Sequence, residues 1–367
     1  GHSGKAKIMY HDIGDYLSRE DKLKIISDFH DIGQMKLDQI TPNEHGDWIS
    51  VRNEKFSTWI PLGDKKNSNN NTFFVPLYSN GAKTQRDAWS YNSSYDKIES
   101  VAKESIDFYN NTIQEIKEGK RTSPEFNTTK ISWSDGVLDD LKKERLYNYD
   151  DAEIREAMYR PFFMQKILWY SPLVDRMGKL PQIFPTTSHK NLLICIPGLG
   201  DKKDFSTLIT NTIPDLGMLA SSQCFPLYWY EIIKPDQNSL FGDDDAQIIK
   251  HEGVTDFILE RAQSKYGNKV QREDIFYYVY GLLHSKSYKE TYSADLKKMM
   301  ARIPLVSDYE KFWAFSKAGR DLANLHLNYE KIESYPDAKV ESIQQGIYKI
   351  PQDKYSCLHD LQSCTSC

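Results

Sequence analysis

Asn191-Leu-Leu-Ile-Cys-Ile196 and Phe225-Pro-Leu-Tyr-Trp-Tyr230 are short runs rich in β-formers and aromatics, each lying against a proline, and both read as strands. Around them Pro161, Pro172, Pro181, Pro185, Pro197, Pro214, Pro226 and Pro235 punctuate the chain from about Ile154 onward. That spacing describes a β-rich domain of short strands and loops over residues 151–240. After the acidic loop Gly242-Asp-Asp-Asp245 the pattern turns helical, with segments near Thr255–Tyr266, Glu273–His284, Tyr288–Met300 and Asp308–Leu325. The last carries a capping-box pattern, Ser307 to Glu310, and an apolar stripe of Phe312, Phe315, Leu322 and Leu325.

Working upstream, Ile98, Val101, Ile106, Tyr109, Ile113 and Ile116 keep a near 3.6-residue period that Gly119 stops, which predicts a long amphipathic helix. A shorter helix follows around Leu138–Leu146, and before the long one Phe73–Tyr78 reads as a strand closed by a turn at Ser79-Asn-Gly81. Lys65–Thr72 holds no apolar residue and reads as a solvated loop. At the start, a strand over Lys5–His11 passes through Gly14 into a helix opened by Ser18, with an apolar face of Leu23, Ile26 and Phe29. Strand, turn and helix in that order belong to an α/β layer.

The 367 residues are 39% hydrophobic and 13% aromatic, enough for a sizeable core. A formal net charge of -5 excludes a uniformly basic coat that grips nucleic acid by total charge. Mean hydropathy is -0.63 and no apolar run approaches the roughly 18 to 20 residues that span a bilayer, so no membrane partner is expected. Five unevenly placed cysteines fit a reducing cytoplasm. Cys357, His359, Cys364 and Cys367 could in principle form a tetrahedral zinc site, but a single Cys-x-x-Cys without a second pair reads as an ordinary tail, and no metal site is expected.

Signatures of catalysis are absent: the chain has no Gly-x-Ser-x-Gly elbow, no Walker loop and no His-Glu-x-x-His. Ile196-Pro-Gly-Leu-Gly-Asp201 ends a strand in a Gly-rich turn that could bring amides to an anion, with Lys202 and Lys203 following, although an ordinary β-turn explains it. An α/β hydrolase-like enzyme built around this loop is the alternative reading, and it would need a nucleophile and a histidine nearby. Asp243–Asp245, with His251 and Glu252, reads as a solvated loop rather than a metal site. His11 and Asp12 at a strand end are equally a ligand position or a turn. The aromatic helix over Ile275–Tyr280 reads as core before it reads as a surface for a protein partner.

Gly81-Ala-Lys-Thr-Gln-Arg-Asp-Ala-Trp89 packs Lys83, Gln85 and Arg86 into a turn. Lys and Arg neutralise phosphates, and Gln or Arg can pair two-pronged with base edges, so the turn is a candidate DNA contact beside the plain reading of a surface turn anchored by Trp89. Arg160, in Tyr159-Arg-Pro-Phe162, and Arg302, before Ile303-Pro304, share that double reading.

These segments together resemble one family. His11-Asp-Ile-Gly-Asp-Tyr-Leu-Ser-Arg-Glu20, Thr41-Pro-Asn-Glu-His-Gly-Asp-Trp48, Lys83-Thr-Gln-Arg-Asp-Ala-Trp89, Tyr159-Arg-Pro-Phe162, Gln223-Cys-Phe-Pro-Leu-Tyr228, Asp274-Ile-Phe-Tyr-Tyr-Val-Tyr-Gly-Leu-Leu-His-Ser285 and Arg302-Ile-Pro304 stand in the order seen in the C-terminal part of type ISP restriction-modification enzymes. Those are single chains that join a nuclease, a helicase-like motor, an adenine methyltransferase and a target recognition domain. The resemblance runs from about Lys5 to about Tyr329. The family's catalytic Asn-Pro-Pro-Tyr motif and S-adenosylmethionine loop do not occur in the chain, and the stretch from about Lys339 to Cys367 departs from the family's continuation.

The resemblance implies a mixed α/β and α+β chain: the distal part of an α/β methyltransferase domain over residues 1–150, then a target recognition domain over 151–345, β-rich at 151–240 and helical at 250–330, then an unmatched tail over 346–367. It implies a fragment of a longer chain that recognises double-stranded DNA and aims an upstream methyltransferase, helicase and nuclease, without catalytic residues or a bound cofactor of its own. S-adenosylmethionine, ATP and magnesium are then cofactors of the full-length parent. The DNA-binding candidates are Lys83, Gln85, Arg86, Arg160, Lys202, Lys203 and Arg302, expected to cluster on one positive face.

Overall fold

The computed structural model describes residues 6–66, 71–126, 129–201, 203–233 and 247–333, and the backbone alone at 341–344 and 347–349. Lys202, the acidic loop Asp243–Asp245 and the tail residues Cys357, His359, Cys364 and Cys367 lie outside the described residues. The chain forms two compact units, Gly1–Thr58 and Trp59–Cys367.

In the first unit β1 (Ile8–Tyr10), α1 (Arg19–Asp28), β2 (Asp38–Ile40) and α2 (Glu54–Ser57) follow one another, and β1 pairs antiparallel with β2, Ile8 opposite Ile40. Ser18 caps α1 by accepting from the Asp21 amide at 3.1 Å. The inward face of α1 differs from the expected one: Leu23 and Ile26 are exposed, while Ile25 and Phe29, one turn apart, are half-buried, and Phe29 meets the His11 ring edge-on.

The second unit opens with β3 (Ile60–Pro61), β4 (Ser79–Asn80), α3 (Asp87–Ser90), β5 (Tyr91–Asn92), α4 (Tyr95–Lys117) and α5 (Asp135–Lys142). Phe73–Tyr78 is not a strand, and Ser79 and Asn80, expected in a turn, are. The reason is burial without alternation: consecutive Phe73 and Phe74 are both fully buried, as in a core plug, and Phe74 makes only an isolated bridge to Val254. α4 is the helix its period implies, capped by Ser94, and it buries Ile98, Ile106, Tyr109 and Ile113 against Ile131, Val137 and Tyr147.

Then come β6 (Glu153–Arg160), β7 (Phe163–Trp169), α6 (Leu180–Ile183), β8 (Leu193–Ile196), β9 (Leu208–Thr210), β10 (Ile213–Pro214), β11 (Gln223–Pro226), β12 (Tyr228–Ile233) and β13 (Gln247–Glu252). They build a sheet ordered β10-β6-β7-β5, in which only β10 and β6 run parallel, and an antiparallel sheet ordered β4-β11-β8-β9. The run expected as one strand over Phe225–Tyr230 splits at Leu227, whose amide goes to Leu192 O at 2.8 Å and whose carbonyl accepts from Gly253 N at 2.8 Å. β12 therefore leaves the sheet and pairs with β13 as a separate ribbon. One core joins the sheets through residues such as Ala157, Ile167, Trp169, Leu193 and Leu208.

Next come α7 (Asp256–Tyr266), α8 (Arg272–His284), α9 (Lys286–Thr291), α10 (Ser293–Lys298), β14 (Arg302–Ile303) and α11 (Tyr309–Leu327), with β14 pairing back onto β3, and then the antiparallel pair β15 (Glu341–Gln344) and β16 (Ile347–Lys349). The helix expected over Tyr288–Met300 is two, because Tyr292 leaves the helical region (φ -112°, ψ 22°) and packs edge-on against Trp59 at 4.7 Å. The cap of α11 is Asp308 rather than Ser307: its carboxylate accepts from the Lys311 amide at 2.8 Å. α8 buries every residue from Ile275 to Leu283, so its aromatics are core. Among the described residues no helix is long and apolar enough to cross a membrane, and no three metal-binding side chains converge.

Candidate functional site

Two of the quoted motifs, distant in sequence, meet in one polar network. β4 delivers the chain into residues 81–87, where Ala82 bonds on both sides to the end of β10 and the residues after it: its amide donates to Pro214 O and its carbonyl accepts from Leu216 N, both at 2.8 Å. Asp215, between them, is fixed from behind by its own amide, which donates to Met158 O of β6 at 3.0 Å. Asp215 is thus held where the first motif and the end of β6 adjoin.

The side chains then close the network. The Arg160 guanidinium donates to Asp215 Oδ1 at 2.6 Å, lies 3.8 Å from the Tyr159 ring centroid and comes within 3.7 Å of Asp87 Oδ2. Tyr159 donates its hydroxyl to Asp87 Oδ2 at 3.1 Å, and the Thr84 hydroxyl donates to Asp87 Oδ1. Tyr91 donates to Asp215 Oδ2 at 2.9 Å, and the Gly217 amide to Oδ1 at 2.8 Å. Burial raises the Asp215 carboxyl above its usual range, and burial followed by the Asp215 charge raises Tyr91 strongly. The stack on Tyr159, the short ion pair to Asp215 Oδ1 and a bond from Nη1 to Tyr159 O at 2.6 Å leave Arg160 little rotamer freedom, although part of its side chain stays open to solvent.

Two exposed residues project from this frame with backbones that L residues rarely adopt. Gln85 sits at φ 57° between buried Thr84 and buried Arg86, and Phe162 sits at φ 55° at the turn from β6 to β7. Non-glycine residues at positive φ cost roughly 1 kcal/mol or more and persist where the surroundings over-determine them. Phe162 also packs edge-on to His326 and Tyr329, at 5.2 and 5.3 Å.

The seven candidates therefore separate. Lys83, Gln85 and Arg160 belong to this surface, with Lys83 paired to Asp175 at 3.4 Å. Arg86 faces inward: it is 5% exposed, its Nη1 donates to Leu173 O at 2.5 Å, its Nη2 to Ser134 Oγ at 2.5 Å, and burial lowers its pKa. Arg302 sits in β14 and donates to Trp59 O at 2.7 Å. Lys203 is exposed on the loop after β8, where its amide goes to Asp201 Oδ1 at 3.0 Å. In that loop the Gly198 amide goes to Ala220 O and the Gly200 amide to Lys297 O, both at 3.0 Å, so the glycine donors of an anion cradle are already used.

Sequence reasoning missed Arg176 and Lys179. The 175–179 turn clasps the 79–83 segment: Lys83 N donates to Arg176 O at 3.0 Å, Arg176 N to Lys83 O at 2.9 Å, and Lys179 N to Ser79 Oγ at 2.9 Å. The signal was the basic composition of Arg176-Met-Gly-Lys179, but nothing in the local pattern tied it to Lys83.

The family model of the Type ISP C-terminal specificity domain matches residues 73–363, running on into the stretch left outside the sequence resemblance. No curated protein matches the chain. Among solved structures, the chain is similar to the ATP-dependent Type ISP restriction-modification enzyme LlaBIII bound to DNA, at 30% identity and a TM-score of 0.75 over 95% of this chain. It is similar to a nuclease-deletion mutant of the Type ISP enzyme LlaGI in complex with a DNA substrate mimic, at 31% identity and 0.73 over 92%. The DrdV–DNA complex gives 26% identity and 0.73 over 92%. The chain spans 23%, 25% and 32% of those three chains. Matched over most of its length, the chain belongs to the Type ISP C-terminal specificity domain family.

Proposed function

We propose that the chain reads a DNA sequence as the specificity part of a type ISP restriction-modification enzyme, aiming an adenine methyltransferase, a helicase-like motor and a nuclease carried elsewhere in the parent chain. The observation that carries this reading is the family match, together with likeness over nearly the whole chain to enzymes solved on DNA. S-adenosylmethionine, ATP and magnesium then serve the parent, and the work takes place in the cytoplasm.

The geometry supplies a division of labour. Sequence is read by groups that reach base edges, and such groups must be pre-organised to discriminate. Gln85 fits that role: its amide can pair two-pronged with adenine, and its backbone is fixed by the buried residues on either side. Arg160 is held by Asp215 and Asp87, so it serves as a positioning residue for the hairpin turn and offers its exposed edge to phosphate or base. Lys203 can add a phosphate contact from the loop after β8.

The test is a binding selection of the 367-residue chain against a randomised duplex library at low and moderate salt. Enrichment of one short motif, with affinity falling as salt rises, is the expected result. Retention of no duplex, or retention without sequence preference, would contradict it.

A further inference from the structure

Next to the reading loop lies a concentration of positive charge that the chain's overall acidity hides. Lys65 and Lys66 are exposed at the end of the segment after β3, and Arg176 and Lys179 are exposed on the turn that clasps residues 79–83. Lys83, half-buried, joins them by its two backbone bonds to Arg176. Lys65 extends its ammonium over the Tyr78 ring, 4.4 Å from the centroid, and Tyr78 is itself stacked on buried Phe225 at 4.6 Å.

Five cations thus stand in these two segments and the loop they join, together with the carboxylates Asp64 and Asp175. Asp175 is already paired with Lys83, and among the described residues neither Arg176 nor Lys179 has an ion-pair partner. Burial chiefly, and then the neighbouring charge of Lys179, lower the pKa of Lys65. Such an arrangement is costly in the free protein and is relieved by a polyanion. Lys83 stands two residues before Gln85 on the same loop, with buried Thr84 between them.

We propose that Lys65, Arg176 and Lys179, with Lys83, form a phosphate-gripping ledge that seats the DNA backbone beside the loop bearing Gln85. The proposal rests on the DNA-reading function proposed above. Its ligand is the phosphate backbone of a duplex, and its contribution is affinity and register without sequence information. The Tyr78 ring under Lys65 and the backbone clasp of 175–179 onto 79–83 fix where these residues leave the main chain, so the ledge sets the distance at which Gln85 meets a base edge.

The experiment measures binding of the full 367-residue chain to its selected duplex and to an unrelated duplex over a salt series. Three proteins are compared: the parent, the neutralised K65Q/R176Q/K179Q, and the charge-keeping K65R/R176K/K179R. Each lost phosphate contact lowers the slope of log affinity against log salt by about 0.9, so the neutralised chain should lose about 2 to 3 from its slope and weaken on both duplexes by the same factor. The charge-keeping chain should retain the parent's slope. Single neutralisations, each expected to remove about 1 from the slope, provide the same reading if the triple variant melts early.

An unchanged slope in the neutralised chain would overturn the ledge while leaving the DNA-reading function intact. So would a loss confined to the selected duplex, which marks base contacts. Failure of the parent itself to bind any duplex would overturn both together.

Discussion

At the scale of single residues, the first motif shows how one turn can carry opposite roles at adjacent positions. Gln85 and Arg86 are neighbours in a polar stretch, and residue type alone makes the arginine the better DNA contact. The structure turns Arg86 inward onto Leu173 O and Ser134 Oγ and leaves Gln85 exposed. Arg86→Ala would strand those acceptors and open a hole at a 5% exposed position, so it should cost about 2 to 4 kcal/mol in urea unfolding while leaving the salt dependence of DNA binding as in the parent. A stability loss under about 0.5 kcal/mol with a weaker salt dependence would return Arg86 to the interface. The sequence could not decide this, because what fixes Arg86 is the carbonyl of Leu173, far along the chain and invisible to any local pattern.

At the scale of elements, legibility followed locality. α4 could be read because its period lies within its own residues and Gly119, which stops it, lies just beyond its last turn. β8 was legible in the apolar run Asn191–Ile196, but β4 and β5 were not, since Ser79 and Asn80 become a strand only by pairing with Gln223 and Cys224, and Tyr91 and Asn92 only by pairing with Ile167 and Lys166. The crossing of α8 and α11 was hidden for the same reason. Gly281 and Gly319 face each other across it, and a Cβ on Gly319 would stand 2.0 Å from Tyr277 O, while one on Gly281 would stand 2.3 Å from Phe315 O. In an isolated helix Gly→Ala gains about 1 kcal/mol, but here the methyl meets backbone that can yield only if the helices separate. Gly319→Ala should therefore destabilise the chain by about 2 kcal/mol or more in chemical denaturation. A variant as stable as the parent, or more so, would show that the two helices do not touch as described.

At the scale of the whole molecule, order along the chain revealed the family while the site stayed hidden. Motifs in a consistent sequence order name the architecture without saying which of their side chains converge. Convergence came from strand pairings between remote segments, which placed Asp215 between Ala82 and β6 and so joined the first motif to Arg160. Lys83, Gln85 and Arg160 were legible as candidates because they belong to quoted motifs. Arg176 and Lys179 were not, because only the clasp onto residues 79–83 brings them beside Lys83. The net charge of -5 proved a poor guide to the local field, since it averages the basic strip with carboxylates elsewhere on the chain.

The central claim, that DNA is read at the Gln85 loop, is tested most directly by photo-cross-linking the full chain to its selected duplex and mapping the attached peptides. The account predicts cross-links concentrated in residues 81–87 and 159–163, with weaker ones from the backbone to the 175–179 turn. Efficient cross-linking confined to other segments, with those three left unmodified, would contradict it.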